Sequence, residues 1–387
     1  MKSGFLHELR DGVTPRAGAL VLTVLGVQLA FIASYIGAFH EPTPHRIPIA
    51  VTAPPQQVGE LVRQLDALPG APLDAVAVPD EDSARRMIDR REVYGAFVVS
   101  STDPAAPADP AAPTNPANPA NPASAAEPAD PADPAGAAGT ADRLIIASGA
   151  GASVGQVLEQ IITPFEDAQG RAFTVEDVKP ALVGDARGLS GFYLALGWVV
   201  GGYLVAIALS TSKGSRPANP HRAVIRLLSL LAYALLSGLG GALVTGAVYG
   251  AIDGHLAQLT WFGALLVFAS GAFTMALQAT FGFIGTGLAV LLFVVLGNPS
   301  AGGAYPAPLL PPFWRAVGPW LPPGLGTEAI RGIVYFAGVG VGRSALILCG
   351  YGILGVLGTL LAVAAGQPRK VILPPAATAP HTTAPAA

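Results

Sequence analysis

The sequence predicts an α-helical membrane protein with six transmembrane helices and a small extracytoplasmic α/β domain inserted between helices 1 and 2. Of the 387 residues, 51% are hydrophobic and only 12% are charged, whereas soluble domains carry about 25% charged residues. No Asp, Glu, Lys or Arg occurs between Asp253 and Arg315. In residues 40–188, by contrast, short strand-like and helix-like stretches alternate, which is typical of an α/β domain.

The composition excludes several classes of function. A net charge of −3 provides no basic footprint for nucleic acid, and the single cysteine, Cys349, excludes a disulfide or a thiolate metal site within one chain. None of the four lysines completes a phosphate-binding loop. A proton path would require ionisable residues inside the membrane, and the predicted spans carry none in their central parts. We therefore expect no enzyme, no cofactor and no metal, and any energy must come from a partner.

The N-terminal region predicts a membrane anchor. Residues 1–16 are basic and are expected in the cytoplasm, and residues 17–39 form an uncharged run of 23 residues, where about 20 suffice to span a bilayer. A signal peptide is the alternative, but its apolar region is shorter, about 7–15 residues. The sequence therefore favours an uncleaved first transmembrane helix.

Residues 40–188 predict the α/β domain. Strands are expected at 47–51, 73–78, 93–99 and 144–147, and helices over 58–68, from Asp82 as a cap to Arg91, and over 153–165. In the interrupting stretch 103–139, 25 of 37 residues are Ala or Pro, which predicts a disordered insertion. The segment Ser148–Ser153 is compatible with an anion-binding helix start, although a plain strand-to-helix turn is the stronger interpretation.

Residues 189–366 predict a five-helix membrane domain. Apolar runs at 189–209, 224–250 and 345–365 each suffice for one crossing, and 256–296 suffices for two, with a reversal near Gln278–Gly282. Residues 367–387 are expected to be a disordered cytoplasmic tail. Basic residues set the orientation, because cytoplasmic loops are enriched in Lys and Arg. The N-terminus, the 211–223 loop and Arg369/Lys370 then lie inside, although the outer segment also holds Arg315, Arg331 and Arg343.

The outer segment 298–342 is too rich in Pro and Gly to span a bilayer and too apolar for a free loop. Two short interfacial helices are expected, around 313–320 and 327–336, because Trp and Tyr favour the headgroup level. Packing at the interface without any ligand role is the main alternative. The candidate residues of this segment are Phe313, Trp314, Arg315, Trp320, Arg331 and Tyr335.

Several short sequence motifs resemble those of a known family. The outer segment contains Gly302-Gly303 with Tyr305-Pro306, the run Leu310–Arg315, Leu321–Pro323, Ala329–Gly332 and Tyr335-Phe336; the polar domain adds Arg91–Val99, Asp177-Val178 with Pro180, and Gly184-Asp185 with Arg187-Gly188. With one anchor, a large outer domain and five further spans, the chain is similar to the membrane subunits of ABC-2 type transporters, within them to the YhgE/Pip branch.

The resemblance implies a permease in the bacterial plasma membrane that crosses it several times, with both termini in the cytoplasm. It also implies a homodimer or heterodimer of membrane subunits in the lipid bilayer, coupled to a separate ATP-binding subunit. On this chain the coupling loop would carry Lys213, Arg216 and Arg222. The expected function is export of an amphipathic or envelope substrate; the alternative is a non-transporting scaffold or secretion accessory that acts through its extracytoplasmic domain.

Overall fold

The computed structural model describes residues 15–39, 43–100, 142–185, 187–213 and 217–365. The predictions for the insertion 103–139 and the tail 367–387 fall outside these ranges. The described chain is mostly helical and has five helices that are long and apolar enough to cross a membrane. A five-stranded sheet precedes them. The prediction of a multi-pass membrane protein with a separate sheet-containing region is confirmed at this level.

The sheet domain contains strands β1 to β5 in the spatial order β2-β1-β3-β4-β5. Only β3 and β4 are antiparallel, in the register Val98↔Arg143, and the other neighbouring pairs are parallel. The strand bounds are β1 (Ile47–Thr52), β2 (Leu73–Ala77), β3 (Gly95–Val98), β4 (Asp142–Ile146) and β5 (Phe173–Asp177). Strand β5 has no counterpart among the predicted elements, because its exposed, partly charged residues lack the alternation of a half-buried strand.

Helices α2 (Val58–Asp66), α3 (Glu81–Asp89) and α4 (Ala152–Asp167) cover the two faces of the sheet. Side chains of α2 and α4 share one aliphatic core with β1 and β3, and α3 packs on the opposite face. The N-cap of α3 is Asp80, whose carboxylate accepts the Ser83 N–H, so the predicted cap at Asp82 is wrong. Asp82 instead lies in the first turn, where its negative charge favours the positive helix end.

The first helix is α1 (Pro15–Phe39), of which Gln28–Phe39 is apolar. The five long apolar segments contain α5 (Ser190–Lys213), α6 (Pro220–Leu243, continuing through a π-helical turn at Val244–Val248), α7 (Leu256–Phe281), α8 (Phe283–Val290, continuing to Ser300) and α11 (Val341–Ala365). The predicted reversal is confirmed at Gly282, which has a φ of +61° and separates α7 from α8. There the Gln278 amide donates to the Thr286 hydroxyl at 3.1 Å.

Helix α7 is the centre of the bundle and packs against α5, α6, α8 and α11. Glycines permit these close approaches, as expected for helices in lipid. A Cβ at Gly238 would lie 2.4 Å from the Thr260 carbonyl oxygen, and one at Gly355 would lie 2.4 Å from the carbonyl carbon of Ala272. Gly197 and Gly342, by contrast, face open space.

One end of the sheet docks on the bundle. His45, just before β1, donates its N–H to the Pro308 carbonyl, and Ser153, at the start of α4, donates its hydroxyl to the Ala304 carbonyl. Phe336, at the end of α10 (Pro322–Tyr335), packs into the core on the α3 face of the sheet. Strands β1 and β3 therefore begin near the bundle, and β3 ends and β4 begins at the opposite end of the sheet.

Candidate functional site

The segment between α8 and α11 carries most of the predicted site residues and forms two short helices, α9 (Pro312–Val317) and α10. Phe313 and Trp320 are exposed, by 56% and 60%, whereas Trp314 is buried with Ala38 and Leu310. Eleven residues of α10 are buried. Helix α10 thus lies between the bundle and the sheet domain, and the interfacial position of this segment stays a prediction.

A charged cluster joins α10 to the sheet domain. Glu328 accepts from Arg91, which follows α3, and from Arg331 at 3.2 Å within α10. Arg91 also donates to the Glu328 carbonyl at 3.1 Å, and Arg331 donates to the Gly303 carbonyl at 3.0 Å. Arg331 is only 4% exposed, and a buried charge requires such partners. Arg331 therefore fixes Glu328 and the Gly303 loop within the outer segment, and Arg91 joins Glu328 to the sheet domain.

The electrostatics of this cluster favour its charged form. Burial raises the pKa of the Glu328 carboxyl, but the guanidinium groups of Arg91 and Arg331 outweigh burial, so the pKa lies below its ordinary value of 4.5. Burial raises the pKa of the nearby Tyr94 hydroxyl to about 12. At neutral pH Glu328 is therefore ionised, and Tyr94 keeps its proton as a hydrogen-bond donor.

A cavity of about 210 Å³ lies beside this cluster, between the sheet domain and the outer segment. Arg91, Arg315, Arg343 and Glu328 are among its lining residues. Arg315 donates to the His45 carbonyl at 3.3 Å, and the Arg343 guanidinium lies 5.5 Å from the centre of the Trp320 ring. The basic residues of the outer segment thus belong to one structured junction rather than to a free loop.

Tyr335, at the end of α10, makes a second contact between α10 and the sheet domain. Its ring lies against Gly149, where an added Cβ would be 2.5 Å away, and its hydroxyl accepts the Leu182 N–H at 3.5 Å. The Ser148–Ser153 turn donates its Gly149 and Gly151 N–H groups to carbonyls within the domain. These N–H groups are therefore occupied, which agrees with a plain turn rather than an anion site.

A groove of about 640 Å³ lies between α5 and α6, at the end nearest the sheet domain. Its floor is Trp198, whose indole N–H donates to the Ser237 carbonyl at 2.9 Å. Gly241 and Gly263 leave the space for this ring, since a Cβ at either would lie within 2.5 Å of it. The lining combines apolar groups with the side chains of Ser190, Tyr193, Thr245 and Tyr249.

A π-helical turn borders the groove. It begins at Val244, and the Thr245 hydroxyl donates to the Gly241 carbonyl at 2.8 Å. Such turns interrupt regular helices and are frequent at functional sites. Tyr193 and Tyr249 are 63% and 76% exposed, so the groove opens to the side of the bundle. Its chemistry suits a molecule with an apolar body and a polar end.

Two of the predicted coupling residues, Arg222 and Lys213, lie at the opposite end of the bundle. Arg222 is exposed in the first turn of α6, where its N–H donates to the Asn219 side chain at 2.9 Å. Lys213 ends α5, although its side chain is outside the description, and Arg216 lies outside the described residues. The role of this loop stays a prediction.

Sequence reasoning missed Arg91, Glu328 and Trp198 as members of these sites. The Arg91–Glu328 contact joins residues 237 positions apart, and no local pattern reports such a pairing. Within the described ranges there is no group of three or more His, Cys, Asp or Glu side chains able to hold a metal ion. No protein-family model, curated protein or solved structure matches this chain.

Proposed function

We propose that the chain is the membrane-spanning permease subunit of an ABC-2-like exporter, which moves an amphipathic or envelope substrate outward. ATP would be hydrolysed by a separate subunit. The groove between α5 and α6 carries the proposal, because it is large, opens sideways and combines apolar walls with hydroxyl groups. A lipid-like molecule could enter it from the bilayer without crossing water.

The proposed topology has six spans: α1 crosses the membrane in addition to the five long apolar segments, and the sheet domain lies outside the cell. In support, the described part of α1 leans on the end of α8, where the Ser34 hydroxyl donates to the Val295 carbonyl. The rings of Phe39 and Tyr305 are 5.7 Å apart at the same end. Both termini and the 211–223 loop would then face the cytoplasm of a bacterial cell, as the basic residues favour.

The proposed partners are an ATP-binding subunit, a second membrane subunit and the lipid bilayer. The ATPase would contact Lys213, Arg216 and Arg222. Helix α6 exposes large apolar side chains along its length, among them Leu228 and Leu236 at 58% and 71%. These side chains require lipid or another membrane helix as their surroundings, which is compatible with pairing of two membrane subunits through this face.

A second candidate is a non-transporting scaffold or secretion accessory. The two edge strands of the sheet favour it, since Val76 of β2 and Val175 of β5 are 41% and 42% exposed. Edge strands can add a strand from a partner. Under this alternative the sheet domain would carry the function, and the bundle would serve as its anchor.

Purification from native membranes in mild detergent, with co-purifying proteins identified by mass spectrometry, separates the two candidates. The exporter proposal predicts a stoichiometric ATPase with a phosphate-binding loop, which is lost on substitution of Arg222 by Glu. The matched control is Arg63→Glu on the sheet domain, which should retain the ATPase. Recovery only of envelope or secretion proteins, held through residues 40–188, would reject the exporter and support the scaffold.

The role of the groove is tested by filling it. A Cβ at Gly197 or at Gly350 meets no atom within 4 Å, but only Gly197 lines the groove. Binding of a fluorescent lysophospholipid to the purified protein should fall severalfold in Gly197→Leu and stay unchanged in Gly350→Leu. Equal binding by both variants would remove the groove from the proposal.

A further inference from the structure

The cavity between the sheet domain and the outer segment has a charge that its own residues do not balance. Arg91 and Arg331 both bind Glu328, so these three groups together carry one positive charge. Arg315 and Arg343 line the same cavity, and neither forms an ion pair within the described part of the chain. The charged residues that line the cavity therefore have a formal charge of +2, and Arg331 on the other side of Glu328 raises the charge of the cluster to +3.

The cavity also presents hydroxyl groups beside its arginines. Ser344, which is 3% exposed, and Tyr94 both line the cavity. Hydroxyl groups of Ser and Tyr donate hydrogen bonds. A ligand with several acceptor oxygens is therefore suited to bind both of them.

Size and position narrow the ligand class. A volume of about 210 Å³ equals the share of roughly seven water molecules, which is enough for a tetrahedral oxyanion. Gly340 lines this cavity in a backbone conformation with a φ of +85°, which favours glycine. Arg343 stacks on Trp320, which is exposed at the edge of the cavity, and exposed Trp is typical of the lipid headgroup level.

We propose that this cavity is a binding site for a phosphate group, held by Arg315 and Arg343 with Ser344 and Tyr94 as hydroxyl donors. Guanidinium groups suit this ligand because they donate paired hydrogen bonds to phosphate oxygens. The phosphate belongs to a lipid headgroup or to a free anion. The site does not depend on export, since it lies apart from the groove between α5 and α6 and could equally serve a scaffold.

Thermal unfolding of the purified full chain tests the site with three probes: dihexanoyl phosphatidic acid, inorganic phosphate and, as the zwitterionic comparison, dihexanoyl phosphatidylcholine. We expect saturable stabilisation by phosphatidic acid or inorganic phosphate at concentrations at which phosphatidylcholine has none. The single variants R315Q and R343Q should each weaken this binding about tenfold, the loss expected for one charge-assisted hydrogen bond. Arg86→Gln, on the exposed face of α3, is the control and should bind normally.

The probes also separate the two sources of phosphate. Stabilisation by phosphatidic acid alone assigns the site to a lipid headgroup, whereas equal stabilisation by inorganic phosphate assigns it to a free anion. Ser344→Ala gives a second variant without any change of charge, and we expect a severalfold loss of affinity. The proposal is wrong if neither anion binds saturably, or if R315Q and R343Q bind as well as Arg86→Gln does.

Discussion

The sheet domain and the helical bundle are each stabilised by different interactions. The sheet domain buries large aliphatic side chains and uses ion pairs, such as Arg85 with Glu176 at 2.7 Å and Arg171 with Glu166 at 2.6 Å. The bundle uses glycines that bring helix backbones together, because lipid removes the hydrophobic drive between helices. A single methyl group should therefore disturb the bundle more than the loss of a charge disturbs the sheet domain.

The largest effect is expected from Gly355→Ala in α11. The new methyl group would lie 2.4 Å from the Ala272 carbonyl carbon, so the backbones of α7 and α11 must separate, at a cost of about 3 kcal/mol. Heating the detergent-extracted protein before size-exclusion chromatography measures the loss of folded material. Gly350→Ala in the same helix, with open space around its Cβ, should behave like the parent chain. Equal stability of the two variants would refute the role of close packing.

Substitutions at the contact between the sheet domain and α10 should reduce stability less than Gly355→Ala does. Arg91→Gln removes one of the two cationic partners of Glu328. Because the Glu328 side chain is 42% exposed, the loss should fall below that of a fully buried pair, at about 1–2 kcal/mol. Calorimetry of the purified protein measures it. Arg63→Gln breaks the exposed pair with Glu60 and should change stability by less than about 0.5 kcal/mol. A larger effect of Arg63→Gln would reverse the comparison.

The same junction should weaken in acid. The pKa of Glu328 is lowered in the folded protein from 4.5, so its contribution to stability is present above pH 4.5 and is lost as pH falls through the lowered pKa. Glu328→Gln should remove this part of the pH dependence. Limited proteolysis between the sheet domain and the bundle, followed from pH 6 to pH 3, reports it. An unchanged acid profile in Glu328→Gln would show that other carboxylates dominate.

A change of stability in the opposite direction is expected from replacing residues 103–139 by a short turn. Ser100 and Asp142 flank the insertion, and the Asp142 carboxylate accepts the Ser100 N–H at 2.8 Å. The adjacent strands are antiparallel neighbours, so a short connection can join them. Stability should change by at most about 2 kcal/mol, towards a more stable domain, because closing a shorter loop costs less entropy. A marked loss of melting temperature would contradict this.

The sequence predicted the bundle better than the junction. Uninterrupted apolar runs located the five long segments, and the reversal at Gly282 followed from length alone. Strand β5 was missed because Glu176 and Asp177 interrupt its apolar pattern. The pairing of Arg91 with Glu328 was out of reach because it depends on how the sheet docks against α10, and residue spacing along the chain does not report that contact.

The direction of the strands has a practical consequence. Because β1 and β3 start at the bundle, β3 ends and β4 begins at the far end of the strands, away from the Arg91–Glu328 contact and both cavities. A fluorescent protein or a protease cleavage sequence could be fused there without touching either. Such a fusion would report which side of the membrane the sheet domain occupies, in intact cells and with the remaining chain unaltered.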